Sequence, residues 1–179
     1  MANEEHDLTP GELADKAWHL AEKIRIALFT TWDGEQQRIR PLSATVDRAE
    51  HAIYFLIGAE GGTTLAEATG APALTLAQQI EKFPTVSLAF ADNSGMDYVT
   101  VTGEAAVSND RAKIEELFSP FAKAWWDGPE DPDIRLLTVV PHAAEVWEGP
   151  NKLVAYAVML AAAATGTKPA IGDHGAVQL

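Results

Sequence analysis

The chain contains no cysteine. That absence excludes a disulfide framework, thiolate metal sites, iron–sulfur clusters and cysteine nucleophiles, and it suits a cytoplasmic setting. Basic residues are scarce: 13 Lys and Arg stand against 26 Asp and Glu, a formal net charge of −13. Nucleic acids and anionic membranes attract proteins through Lys and Arg, so neither is expected as a partner. Long apolar runs are lacking too. The most apolar stretch, Leu153 to Ala164, is shorter than the roughly 20 residues a bilayer-spanning helix needs. It predicts a C-terminal helix packed on the body or on a partner subunit. The N-terminus is acidic and polar, unlike a signal peptide. The histidines, His6, His19, His51, His142 and His174, are scattered without metal-ligand spacing, so no metal site is expected. There is no G-x-S-x-G and no P-loop. Gly58 to Gly62 reads G-x-x-G-G, which is not a dinucleotide fingerprint. The carboxylates are many but dispersed, which gives hydrolysis by paired acids little support.

What is present describes one globular domain over 1–179, since 47% hydrophobic and 22% charged residues are ordinary for a packed core. Thr9-Pro10-Gly11-Glu12 is a helix start with a capping box, and Leu13, Ala17, Leu20, Ala21 and Ile24 continue a helical apolar stripe. The period then switches. Ile26 to Trp32 reads as a strand, Asp33-Gly34 as a hairpin turn, and a second strand runs to about Asp47. Ala52 to Ile57, Thr85 to Ala91, Tyr98 to Val107 and Leu136 to Trp147 complete six strands, the last bent at Pro141. Gly103 marks a bulge or a close backbone approach. Short helices are expected near 74–82 and 111–118 and before Trp125-Trp126. Gly58 to Pro72 is a long irregular segment, of the kind that is often functional. Near-sequential antiparallel strands with few, peripheral helices predict a mainly β, closed or nearly closed barrel.

The run Arg38-Ile39-Arg40-Pro41-Leu42-Ser43 carries the most chemistry. Strand alternation puts Arg38 and Arg40 on the face of Leu42, Ala44 and Val46. A guanidinium on an apolar face needs an anion, and phosphate suits it because Arg binds phosphate oxygens bidentately. The alternative is that both arginines reach solvent at a strand end. Trp125-Trp126, ahead of an Asp-Gly-Pro loop, could leave an indole to cover a flat ligand or seal a subunit interface, or could pack in the core. Glu145 and Trp147 share a face of the last strand, where a buried acid satisfied by backbone and a packing indole are expected.

The order of motifs resembles the general stress proteins of the pyridoxamine 5′-phosphate oxidase-like group, which are FMN-binding split barrels. The matching pieces are Arg40-Pro41-Leu42-Ser43, Ile53-Tyr54-Phe55-Leu56, Phe83 to Phe90, Tyr98 to Ala105, Trp125-Trp126 with Asp131-Pro132, Leu136 to Pro141, Ala144 to Trp147, Gly166 and Gly172-Asp173-His174-Gly175. The resemblance implies a six-stranded antiparallel split β-barrel with an N-terminal helix and a C-terminal helix and tail. It implies a homodimer with FMN in grooves between the subunits. Arg40 would meet the FMN phosphate. Pro41, Leu42, Ser43, Phe55, Leu56 and Ile57 would line the flavin, and Trp125 and Trp126 would approach the groove.

Two departures bear on that expectation. The family's Ser/Thr-x-Lys after the third strand, whose lysine helps hold the phosphate, aligns with Leu74 and Leu76, so the lysine is missing. Thr63, Thr64 and nearby glycine amides are the candidate substitutes, because backbone N–H groups bind anions. The Arg-x-His of true pyridoxamine phosphate oxidases is also absent, so that activity is not expected. The resulting expectation is an FMN-binding stress-response protein and candidate flavin-dependent oxidoreductase, with no catalytic side chain assigned. The alternatives are a non-enzymatic flavin carrier or sensor, a barrel for another planar ligand (F420, haem or a bilin), or a scaffold without ligand.

Overall fold

The computed structural model describes residues 8–59, 74–149, 152–166 and 173–179. Helix α1 (Pro10–Ile24) begins at the expected capping box. The Thr9 hydroxyl accepts from the Glu12 amide at 3.3 Å while the Glu12 carboxylate accepts from the Thr9 amide at 2.9 Å. Satisfying these end groups stabilises a helix by about 1 kcal/mol. The buried face is Ala17, Trp18, Leu20 and Ala21.

Strands β1 (Ile26–Trp32) and β2 (Gln37–Ser43) form a hairpin. Its turn is built by Asp33, whose carboxylate accepts from the Glu35 and Gln36 amides, and by Gly34 at φ 104°, a left-handed conformation that suits glycine. The remaining strands are β3 (Thr45–Asp47), β4 (Ala52–Gly58), β5 (Thr85–Asp92), β6 (Asp97–Ser108), β7 (Ile134–Glu148) and β8 (Asp173–Gln178). Helices α2 (Leu76–Lys82), α3 (Arg111–Leu117) and α4 (Lys152–Thr165) and a 3-10 turn (Ala122–Ala124) lie between them.

All the strand pairs are antiparallel, in the order β2-β1-β5-β6-β7-β4-β3, with β8 added beside β7. The expected six strands are therefore eight. One extra arises because the second strand parts at Ala44. This residue is buried, and its amide donates to the Arg25 carbonyl at 2.7 Å instead of joining a ladder. β2 thus stays on β1 while β3 pairs β4. The other extra is the polar tail, which pairs the second half of β7 as β8. β2 and β3 lie at opposite ends of the sheet path yet are joined through Ala44, so the sheet curls back on itself.

The bend at Pro141 is a β-bulge. Thr102 faces Ala143 but Gly103 faces Pro141, leaving His142 as the extra residue. A Cβ at Gly103 would come within 2.3 Å of the Val140 carbonyl oxygen, so both expected reasons for that glycine hold.

The main core lies inside the curl, with Phe29, Phe55, Leu88, Phe90, Val101 and Leu137 among its members. A second, smaller core of Ala52, Tyr54, Ile114, Ile134 and Leu136 lies on the outer face of β4, under α3. β4 is thus buried on both faces, which is why Ala52 to Ile57 reads as an almost unbroken apolar run. Among the described residues no helix is long and apolar enough to cross a membrane.

Candidate functional site

The inward face of β2 carries Arg38, Arg40 and Leu42, each half-buried, between the exposed Ile39, Pro41 and Ser43. The two arginines meet different fates. Arg38 lies near the hairpin tip, where its Nε donates to the Asp33 carboxylate at 2.5 Å. Its charge is answered within the turn.

Arg40 has no carboxylate partner among the described residues. Its guanidinium donates to the Thr31 hydroxyl at 3.2 Å and to the Gln79 side-chain oxygen at 3.3 Å. Burial, and then the neighbouring charge of Arg38, push its pKa below the ordinary arginine value. An anion here would relieve both effects. Lys16, Lys23, Arg38, Arg48 and Lys113, by contrast, each pair with a carboxylate. Arg111 and Arg135 are also half-buried with neutral partners, but theirs are backbone carbonyls that tie down a loop, whereas Arg40 meets, among the described residues, only a side-chain hydroxyl and a side-chain amide oxygen.

The neutral partners come from two elements. Thr31 follows Ala27 and Phe29 on the inward face of β1 and is 2% exposed. Gln79 lies on the inner face of α2 beside Leu76 and Ile80 and is 0% exposed. Thr31 donates its hydroxyl proton to the Gln79 oxygen at 2.6 Å, and the Gln79 amide nitrogen donates to the Leu74 carbonyl at 2.8 Å. Neither residue was expected at the site from the sequence. The available signal was a polar residue at an inward position of an otherwise apolar face, once in a strand and once in a helix.

The other expected residues separate. Leu42 packs against the main core, while Pro41 and Ser43 face outward. The Phe55 and Ile57 side chains are buried in the main core, Phe55 edge-on to Phe29 at 5.3 Å. Leu56 points to the opposite face and packs on the second core. Past Tyr54, β4 pairs β7 but no longer β3, which leaves one backbone edge of Phe55 to Gly58 without a strand partner among the described residues. β2 lies next to this part of the fold. Thr63 and Thr64, with most of the Gly58 to Pro72 segment, lie outside the described residues. Leu76, at the family's lysine position, is buried in the main core, so the first turn of α2 brings no cation to Arg40.

The adjacent tryptophans divide. Trp126 packs on the second core, while Trp125 is 81% exposed beside the exposed Phe121. The loop that follows is held by Arg111, whose guanidinium donates to the carbonyls of Pro129, Asp131 and Ile134. Glu145 is exposed, which corrects the expectation of a buried acid: alternation on β7 places Ala144 and Val146 inward. Trp147 is half-buried and lies against the ring of His174, centroids 5.0 Å apart. A groove between α1 and β3 is lined by Asp15, Trp18, His19, Glu22, Asp47 and Arg48. Its acids oppose a phosphate, and it does not include Arg40. No cluster of three or more His, Asp or Glu among the described residues could hold a metal ion.

A family model described as pyridoxamine 5′-phosphate oxidase-like matches residues 12–170. A general stress protein 26 of Bacillus subtilis (strain 168) is 27% identical over 79 residues, 42% of this chain and 56% of that protein. The chain thus spans about half the length of that curated relative. A solved chain from Jannaschia sp. CCS1, provisionally named general stress protein 26, has a TM-score of 0.67 at 25% identity, covering 96% of this chain and 100% of its own. The general stress FMN/FAD binding protein of Xanthomonas citri has a TM-score of 0.58 at 21% identity, covering 77% and 89%.

Proposed function

The chain belongs to the pyridoxamine 5′-phosphate oxidase-like family, and from that premise we propose that it is an FMN-binding split-barrel protein of stress-response type. The observation that carries the reading is the Arg40 guanidinium, half-buried and bonded, among the described residues, only to Thr31 and Gln79. Such a group fits a phosphomonoester, which supplies a countercharge that the described residues do not. A bound flavin would supply redox chemistry, with the protein contributing orientation and electrostatics. In this reading Arg40 holds the phosphate end, and Leu42 and the backbone edge of Phe55 to Gly58, which has no strand partner among the described residues, line the flavin. Without a lysine at Leu76, the phosphate has one fewer charge-assisted bond, worth roughly 1.5–3 kcal/mol, and unless Thr63, Thr64 and nearby glycine amides replace it FMN binds more weakly than in relatives that have it.

The protein acts as a homodimer in this reading. Ile26, Leu28 and Trp32 on β1 and Ile39 on β2 are exposed on the outer face of the hairpin, where the register sets Leu28 opposite Pro41 and Thr30 opposite Ile39. This contiguous apolar surface suits a second copy, and Trp125 of that copy is free to cover the flavin. A carrier or sensor is the second reading. It is favoured by the neutrality of Thr31 and Gln79, neither of which can serve as an acid or base near neutral pH.

The test is the visible spectrum of the purified protein after FMN is added and the excess removed by desalting, with molar mass measured alongside. Retained flavin bands in a dimer are expected. A folded protein that retains no flavin would sink the reading. Turnover of a nicotinamide donor then separates an oxidoreductase from a carrier.

A further inference from the structure

We propose that Gln79 is a positioning residue: it holds the Arg40 guanidinium through a neutral oxygen so that the positive charge remains available to a bound phosphate. The inference rests on the reading of Arg40 as the phosphate ligand and deepens it.

The geometry fixes the amide at both ends. The Gln79 side-chain oxygen accepts from Thr31 at 2.6 Å and from Arg40 at 3.3 Å, and the nitrogen donates to the Leu74 carbonyl at 2.8 Å. Turning the amide over would set its N–H₂ against two donors and its oxygen against a carbonyl. The residue is fully buried, so water cannot substitute for any of these partners. Arg40 is therefore aimed before any ligand arrives.

The chemistry of the acceptor matters as much as its place. A glutamate has the same length and shape as glutamine. At this position its carboxylate would lie against the guanidinium, neutralise it and compete with a phosphate for the same donors. Lys113 and Lys23 each meet two carboxylates. At Arg40 both acceptors among the described residues are uncharged. Orientation without neutralisation is what an anion site requires, and an amide provides it.

The test compares FMN with riboflavin, which lacks the phosphate, by quenching of flavin fluorescence on the full-length protein. Gln79→Glu is expected to weaken FMN binding by about tenfold or more while leaving riboflavin binding unchanged. Gln79→Met, which loses the acceptor but adds no charge, is expected to weaken FMN by a smaller factor, again sparing riboflavin. A merely structural role would weaken both ligands equally and leave their ratio unmoved, which would overturn the inference. So would wild-type FMN affinity in the Glu variant. If that variant fails to fold, the Met variant decides: a selective loss of FMN supports the role of Gln79, and an unchanged ratio overturns it. Arg40→Ala separates the two levels. If it binds FMN as wild type does, the phosphate reading falls. If it loses FMN while both Gln79 variants retain it, only the role of Gln79 falls.

Discussion

Lys113 and Arg40 are both half-buried cations, and their surroundings differ in sign. Lys113, on α3, donates to Glu50 at 2.9 Å and to Glu116 at 3.0 Å, and lies 4.9 Å from the centre of the Tyr54 ring. Its pKa is raised, chiefly by the bond to Glu50 and then by that to Glu116. Arg40 has two neutral partners, and its pKa is lowered by burial and by Arg38. Around Lys113 the protein stabilises the charge with its own carboxylates. Around Arg40 burial and Arg38 disfavour the charge, and no described carboxylate answers it. The first arrangement fastens α3 over the second core. The second is the one proposed above as the phosphate site.

The largest expected effect breaks the comparison on the Arg40 side. Arg40→Ala should weaken FMN binding about tenfold to a hundredfold, the loss of a charge-assisted bond, with little change in melting temperature. Lys113→Met should do the reverse, lowering the melting temperature while flavin affinity holds. Calorimetry and flavin titration on the same two variants decide the matter. Loss of flavin from the Lys113 variant would mean that the two regions are not separate.

The tryptophans sharpen the same contrast. Trp126 packs on the second core, which also holds the Tyr54 ring under Lys113, and Trp125 is exposed. Trp126→Ala should cost about 2–3 kcal/mol in urea unfolding, somewhat below a fully buried site. Trp125→Ala should change stability by less than about 0.5 kcal/mol and show its effect, if the dimer reading holds, only in flavin affinity. A large stability loss at Trp125 in the protein without flavin would contradict its exposure.

Much of this was legible before the fold was known. The capping box at Thr9, the strand Ile26 to Trp32 and the Asp33-Gly34 turn are local devices, each depending on residues close together in the chain, and Gly103 was legible as a glycine inside a strand although the Val140 and Pro141 it faces are distant in sequence. The arginine strand was legible as well, because alternation alone puts Arg38 and Arg40 on one face. The sorting of that pair was not. It depends on Asp33 at the hairpin tip and on Gln79, which is 39 positions from Arg40 in sequence and reaches it only through the packing of α2 on β1. The break at Ala44 escaped for a related reason: an apolar residue continues the strand pattern, and only the Arg25 carbonyl diverts its amide. β8 escaped because Asp173 to Gln178 carries too few apolar residues for periodicity to register, and its pairing with β7 supplies what its composition does not.

Tyr54 offers the finest test of the closed network. Its hydroxyl donates to Glu50, and its pKa is raised from 10.0 to about 12, by burial first and by Glu50 second. The folded protein therefore keeps the phenol proton after the unfolded chain has lost it. Below pH 10 both states are protonated and the full contribution to stability is present. Between pH 10 and about 12 the unfolded state is the more deprotonated, so stability falls as pH rises. Tyr54→Phe removes this titration. It should cost about 1 kcal/mol at pH 8, the net value of one hydrogen bond, and it should flatten the alkaline decline. Lys113, whose pKa is raised from 10.5, adds its own decline from about that pH upward, so the Tyr54→Phe protein keeps a shallower slope rather than none. Neither change should alter the ratio of FMN to riboflavin affinity at pH 8, since the network around Tyr54 and Lys113 satisfies its charges internally. An equal alkaline slope in both proteins would place the proton elsewhere and dissolve the distinction between the closed region and the open one.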